Sequence, residues 1–192
     1  MLCTNNKEAL AYIIGASIGD GNLSNPNKRA ARLRITCDKK YPNIIHTIQK
    51  NLSVVAPNNK VSIVDRADSC LDISCYSNGW EEVLGWKACG GPKHKQAVGI
   101  PRWIFKDKKY IRRCLQGLFE TDGSIYTDRG YLMTNFTSVI PNLSADVTKL
   151  IDRLGYTSKV SVNRKMLSLP KYTTRICKDA HFFIDEINLK KN

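Results

Sequence analysis

The chain has 192 residues, and 30 Lys and Arg against 17 Asp and Glu give it a net charge of +13 at neutral pH. That excess suits a polyanionic partner. A membrane is not the expected partner, because no apolar run reaches the roughly 20 residues needed to span a bilayer. The length allows one substantial core or two small ones.

Seven cysteines, Cys3, Cys37, Cys70, Cys75, Cys89, Cys114 and Cys177, make an odd set with no CxxC pair. They read as reduced thiols, mostly buried, rather than as metal ligands. The three histidines, His46, His94 and His181, are scattered, so a His-based metal site is not expected. The first residues, MLCTNNKE, lack the pattern of a secretory signal or a transit peptide. The expected location is the cytoplasm or an organellar matrix.

The first helix starts near Asn5, a candidate N-cap with Glu8 three residues on. It runs through ALAYIIGASIGDG, almost without charge, and ends on Asp20. Ala11, Gly15 and Gly19 recur every fourth position and share one helix face. A glycine inside a helix costs about 1 kcal/mol relative to alanine. Close approach of another backbone would justify two of them.

Next, Ser24–Arg29 reads as a turn. The run AARLRITC from Ala30 to Cys37 alternates, with Arg32 and Arg34 on one face and Leu33 and Ile35 on the other, as a strand with a basic face does. A helix is expected over Tyr41–Leu52, with Pro42 in its first turn and Ile44, Ile45, Ile48 and Leu52 as its apolar stripe. Strands follow at Lys60–Asp65 and Cys70–Tyr76, then a short helix at Trp80–Trp86. Residues 1–88 form a first half, and a Gly- and Lys-rich linker covers 89–106.

The second half, 107–192, repeats this order. Asp107 can cap a helix YIRRCLQGLFETD that ends on Asp122. Ser124–Asp128 and Tyr131–Thr137 form a hairpin about Arg129-Gly130. A helix from Val139 to Tyr156 has Gly155 at its C-cap. Strands at Ser158–Asn163 and Tyr172–Cys177 and a closing helix at His181–Leu189 complete the unit. Ile140-Pro141-Asn142-Leu143 echoes Tyr41-Pro42-Asn43-Ile44. The fold class is therefore α+β: a pseudo-twofold pair of αββαββα units whose two antiparallel sheets form a basic saddle.

Setting Asp20 over Asp122 also sets Gly15 over Gly117, Gly21 over Gly123, and Gly19 over Thr121. Two helices touching along these small faces would bring two carboxylates together at one end. Like charges held close favour a cation between them, so the pair suggests a divalent metal site.

At these residues, IIGASIGDG and LQGLFETDG resemble the two LAGLIDADG motifs of the monomeric, two-motif members of the homing endonuclease family. The resemblance implies a site-specific endonuclease that makes a double-strand break in a long DNA target. It implies Asp20 and Asp122 as catalytic metal ligands, assisted by the carbonyls of Gly19 and Thr121. Mg²⁺ is the implied cofactor, with Mn²⁺ as a substitute and Ca²⁺ binding without cleavage. A lysine near each site is usual in such proteins. Of Lys93 and Lys95 the choice falls on Lys95, with Lys190 or Lys191 as its second-half counterpart. The Gln that the family often carries after the second strand is replaced here by Cys37-Asp38, and by the region of Thr137-Ser138.

Base and phosphate contacts are expected from solvent-facing strand and loop residues. In the first half these are Asn22, Ser24, Asn27, Arg29, Arg32, Arg34 and Arg66, beside Asp65, Asp68 and Asp72, which either accept from cytosine or orient a neighbouring Arg. In the second half they are Ser124, Tyr126, Arg129, Asn135, Lys159, Ser161, Asn163, Arg164, Thr173 and Arg175. The expected partner is duplex DNA, bound by a monomer. An RNA maturase, acting on intron RNA, or a DNA-binding regulator on the same fold is the alternative.

Overall fold

The computed structural model describes residues 2–164, 166, 168–176 and 178–191, which leaves Cys177 outside the described residues. Two apolar-faced helices, α1 (Lys7–Asp20) and α4 (Lys108–Asp122), lie against each other at the centre of the molecule. Each half then adds a four-stranded antiparallel sheet. The first contains β1 (Gly21–Ser24), β2 (Arg32–Asp38), β3 (Val61–Asp65) and β4 (Cys70–Tyr76), in the order β1-β2-β4-β3. The second contains β5 (Gly123–Asp128), β6 (Tyr131–Ser138), β7 (Lys159–Asn163) and β8 (Lys171–Ile176), in the order β5-β6-β8-β7. Helices α2 (Pro42–Val55) and α3 (Trp80–Leu84) complete the first half, and α5 (Pro141–Leu154) and α6 (Ala180–Glu186) the second. The expected duplication of αββαββα is thus present.

The sequence explains the local choices. The N-cap of α1 is Asn6 rather than Asn5, and its Oδ1 accepts from the Ala9 backbone N at 3.0 Å. Asp107 caps α4 by accepting from Lys109 N at 2.8 Å. Pro42 and Pro141 sit in the first turns of α2 and α5, where no N–H partner is needed. The β5–β6 hairpin turns at Arg129 and Gly130, with φ of 51° and 83°, the left-handed pair that matches strand twist. Strand β1 is absent from the sequence-based expectation. Its four residues are too few to show alternation, and they lie between the end of α1 and the expected turn, which only Ser24 enters. The linker is not featureless either: 3₁₀ turns form at Lys93–Gln96 and Arg102–Lys106.

The helix pairing rests on missing side chains. A Cβ on Gly15 would overlap the Cys114 carbonyl, and one on Gly117 would overlap the Tyr12 carbonyl. Gly15 and Gly117 therefore hold the two backbones in reciprocal contact. Around this seam Tyr12, Ile13, Ile14, Leu115, Leu118 and Phe119 are fully buried and join both sheets' inner faces in one core. Of the described cysteines, all free, Cys37, Cys75 and Cys114 are buried, Cys3 and Cys70 partly so, and Cys89 is exposed. No described helix is long and apolar enough to cross a membrane.

Candidate active site and nucleic-acid interface

Both central helices stop at a glycine. Their last residues, Asp20 and Asp122, consequently emerge side by side where the chain turns into β1 and β5. A Cβ on Gly19 would stand 3.5 Å from the Asp122 carboxyl carbon and would overlap Thr121 Oγ1. The two carboxyls are near enough to share a hydrogen bond when one holds a proton. Burial, and then the Asp20 charge, pushes Asp122 up to about 6. Burial raises Asp20 as well, although Lys191 and Lys93 pull it down. Both side chains keep one side open to solvent.

Lys93, not Lys95, approaches this pair. Its Nζ donates to the carbonyls of Ser17 at 3.1 Å, Ile18 at 2.7 Å and Gly19 at 2.5 Å. Burial lowers its pKa to about 8, against the charges of Asp122 and Asp20. Lys95, two residues on in the same 3₁₀ turn, is exposed. The turn sends the two side chains different ways, so Lys93, and not the expected Lys95, lies beside the carboxylates. The loop that carries Lys93 is tied by Gln96, which accepts from Lys87 N at 2.8 Å and donates to the carbonyls of Lys87 at 3.1 Å and Gly91 at 2.9 Å.

In the second half the corresponding lysine is Lys191. Its Nζ donates to Thr121 O at 2.8 Å and Gly123 O at 2.6 Å, and burial lowers its pKa. Lys190 turns away, with its Nζ 3.4 Å from Thr47 Oγ1. Each ammonium binds carbonyls at the end of its own half's central helix. Yet Lys93 feels Asp122 more strongly than Asp20, and Lys191 feels Asp20 more strongly than Asp122.

A pocket of about 250 Å³ adjoins Asp20, lined by Thr36, Cys37, Asp38, Lys40, Tyr41, Glu120, Thr121 and Lys191 among others. Cys37-Asp38 therefore does stand beside Asp20. Burial, with Asp20 and Cys70 adding to it, pushes the Cys37 thiol up to about 12, so the thiol stays protonated at neutral pH.

The donor set suits a hard divalent cation. Two carboxylates and the Gly19 and Thr121 carbonyls are all oxygen ligands. Those two carbonyls already accept from ammonium groups, so they act as cation-binding oxygens here. No cluster of three or more His, Cys, Asp or Glu that could hold a metal occurs among the described residues. Other ligand positions would then fall to water and to a substrate phosphate, the usual arrangement for Mg²⁺.

The sheets carry the expected contact residues in cross-strand rows on the solvent face. In the first, Asn22 pairs with Arg34, Arg34 with Ser74, and Ser74 with Ser62; in the next row Ser24 pairs with Arg32. In the second, Ser124 pairs with Asn135, Asn135 with Arg175, and Arg175 with Lys159, while Thr173 pairs with Ser161. Tyr126 lies under the Arg175 guanidinium, and Asn163 pairs with Lys171 at the outer edge. Asn27, Arg29, Arg129 and Arg164 are exposed in loops and turns. Asp72 orients Arg34 at 3.6 Å and reaches Arg66 at 3.8 Å, and Asp68 pairs with Arg66 at 3.2 Å. Asp65 pairs with Lys39 at 3.6 Å. The Nε atoms of Arg32 and Arg34 and the Ser24 hydroxyl have no protein partner.

Glu120 and Gln116 are not among the residues expected at the site. Both are buried at the seam, and Glu120 accepts from the Tyr12 hydroxyl at 2.6 Å and Gln116 Nε2 at 3.0 Å. The one available signal was their spacing of four on a helix whose neighbouring positions are apolar.

Residues 109–188 match the model of the LAGLIDADG-like domain. The structure of I-DmoI in complex with DNA and Mn superposes with a TM-score of 0.69 at 18% identity, over 95% of this chain and 97% of that one. The N-terminal LAGLIDADG domain of WhiA gives a TM-score of 0.62 at 15% identity, over 96% of this chain and 84% of that one. A DNA polymerase from Thermococcus hydrothermalis is 29% identical over 156 residues, 78% of this chain. The chain spans 9% of the length of that polymerase.

Proposed function

We propose that the chain, whose residues 109–188 match the LAGLIDADG-like domain and whose duplicated fold is similar to that of the homing endonuclease I-DmoI, is a divalent-metal-dependent, site-specific DNA endonuclease. The observation that carries this reading is the carboxylate pair at the seam, flanked by one lysine from each half. A binding module needs the sheets but has no use for two acids that repel each other and phosphate.

In this reading Asp20, Asp122 and the carbonyls of Gly19 and Thr121 hold Mg²⁺. Bound there, Mg²⁺ lowers the pKa of water and offsets charge on the leaving 3′ oxygen. Lys93 and Lys191 face the same carboxylates and offset charge on the scissile phosphates. The two sheets straddle the duplex, so that Arg32, Arg34, Asn135 and Arg175 read base edges or phosphates. Because the halves are related by a pseudo-twofold, each site serves one strand. Incubation with a randomised duplex library and Mg²⁺, followed by sequencing of cut ends, tests the reading. One recurrent site cut in both strands is the expected result. Binding of a structured RNA in preference to every duplex, with no cutting, would favour a maturase instead.

Two further outcomes follow from the geometry. Lys93→Met should slow cutting about 100-fold, a typical effect of removing one charge-stabilising donor. Lys95→Met should leave the rate within about twofold. Equal losses in single-turnover assays would return the role to Lys95. Binding should also be steeply salt-dependent. With roughly 6–10 phosphate contacts, affinity should fall about 10³–10⁵-fold between 50 and 200 mM salt. A flat response in a gel-shift titration would remove the duplex as partner.

A further inference from the structure

We propose that Gln116 and Glu120 form a dock for the segment Asn188–Lys191 and thereby position Lys191 at the carboxylate pair; the catalytic consequence rests on the endonuclease reading above. A Gln and a Glu that are 1% and 3% exposed need partners, because burying either without them is costly. They stand four apart on α4 and so share one face. Glu120 Oε1 accepts from the Lys190 backbone N at 3.2 Å, and Gln116 Nε2 donates to the Asn188 carbonyl at 2.8 Å. These two bonds grip the backbone of the segment at alternate residues, like a strand laid on the helix. Ile187 and Leu189, 1% and 7% exposed, fix its apolar side, and Leu189 N donates to Ile184 O at 3.0 Å.

The dock is itself braced from the first half. Tyr12 on α1 donates to Glu120 Oε2 at 2.6 Å. Arg113 donates to Gln116 Oε1 and, at 3.0 Å, to Asn51 Oδ1, and it lies over the Tyr12 ring. Glu120 and Thr121 are consecutive on one helix. The carboxylate that grips residue 190 and the carbonyl that receives the Lys191 ammonium at 2.8 Å therefore move as one rigid turn. The first half holds Lys93 by a different device, the Gln96-tied loop. Loss of the dock should accordingly affect one site and spare the other.

Glu120 is a positioning residue in this account, and its effect must pass through Lys191. A double-mutant cycle tests that directly. On the duplex recovered from the library, with each strand end-labelled, Glu120→Ala should slow cutting of one strand about 10–100-fold, as loss of an outer-shell partner usually does. The other strand should change less than about threefold. In a Lys191→Met background, Glu120→Ala should cost less than about threefold on the affected strand. An equal loss in both backgrounds would mean that Glu120 acts on Asp122 or on the fold, and would overturn the proposal. Gln116→Leu runs the same cycle should Glu120→Ala not fold. A second readout is independent of cutting: the Lys190 amide should exchange with solvent at least about tenfold faster in the Glu120 or Gln116 variant, with the Ile13 amide of α1 unchanged. Unaltered Lys190 protection would refute the dock even in an active enzyme. Failure of the wild-type chain to cut any duplex would instead count against the endonuclease reading, and the amide measurement would then decide the dock alone.

Discussion

Asp20→Asn and Asp122→Asn should each reduce cleavage by several orders of magnitude while leaving DNA binding intact. Asn preserves size and one oxygen but loses the charge that would hold Mg²⁺, and with it both water activation and leaving-group stabilisation. Binding in Ca²⁺ or without metal should hold or tighten, since a carboxylate beside phosphate is repulsive. The carboxyls share one end of the helix seam, so each variant should impair cutting of both strands instead of giving a clean nickase. Plasmid cleavage alongside a gel-shift titration separates these outcomes. Full double-strand cutting by either variant would remove that aspartate from the site, and parallel loss of binding and cutting would make it structural.

The same substitution has a signature in stability. Asp122 is raised to about 6 in the folded protein, above its ordinary value of 3.8. A carboxyl raised on folding favours the folded state below its unfolded pKa, and that contribution is lost as pH rises through the folded pKa. The ionised pair therefore costs stability at pH 7.5 in the absence of metal. Asp122→Asn should stabilise the metal-free chain by about 1 kcal/mol once solvent screening is allowed for, or about 2–4 °C in Tm for a chain of this size. The gap should close below about pH 4, the ordinary range of a carboxylate. A wild-type protein more stable than the variant at pH 7.5 in EDTA would contradict the shift.

The second large effect is on the seam. Gly15→Ala and Gly117→Ala each put a methyl into a backbone carbonyl of the opposite helix. No side chain can swing aside, so the helices must part. The cost should reach about 3 kcal/mol or more, the upper range of overpacking. That is a large share of a typical 5–15 kcal/mol, and about 6–12 °C in Tm. Gly85→Ala is the control, since its Cβ meets nothing and only the φ of 79° resists it, at about 1 kcal/mol. Cutting should fall further than stability does, because a displacement of about 1 Å at the carboxylates can cost roughly 100-fold. Thermal melts equal to the control's would show that the glycines do not set the helix approach.

Much of this arrangement is legible in the residues, and the reasons differ from part to part. Aligning two short strings sets Gly15 opposite Gly117, and the structure turns that alignment into reciprocal backbone contact. Strict alternation in Arg32–Asp38 gives the sheet face directly, because side-chain period and burial coincide there. What escaped depends on the return of distant chain. The burial of Glu120 depends on the segment at 188–190 coming back to cover it. Lys93 and Lys95 are equivalent on paper, and only a 3₁₀ turn decides which one faces the carbonyls of α1. Cys37 stands where the family resemblance leads one to expect Gln; its alternation with Leu33 and Ile35 announces its burial, but nothing in the spacing says that it would lie beside Asp20.

The most direct test of the central claim is a map of cut positions on the selected duplex, both strands labelled, with and without a divalent cation. The account predicts one cut in each strand at fixed positions facing each other across the minor groove, present with Mg²⁺ or Mn²⁺ and absent in EDTA. Cutting that persists in EDTA, or a cut confined to one strand, would contradict a paired-carboxylate site serving both.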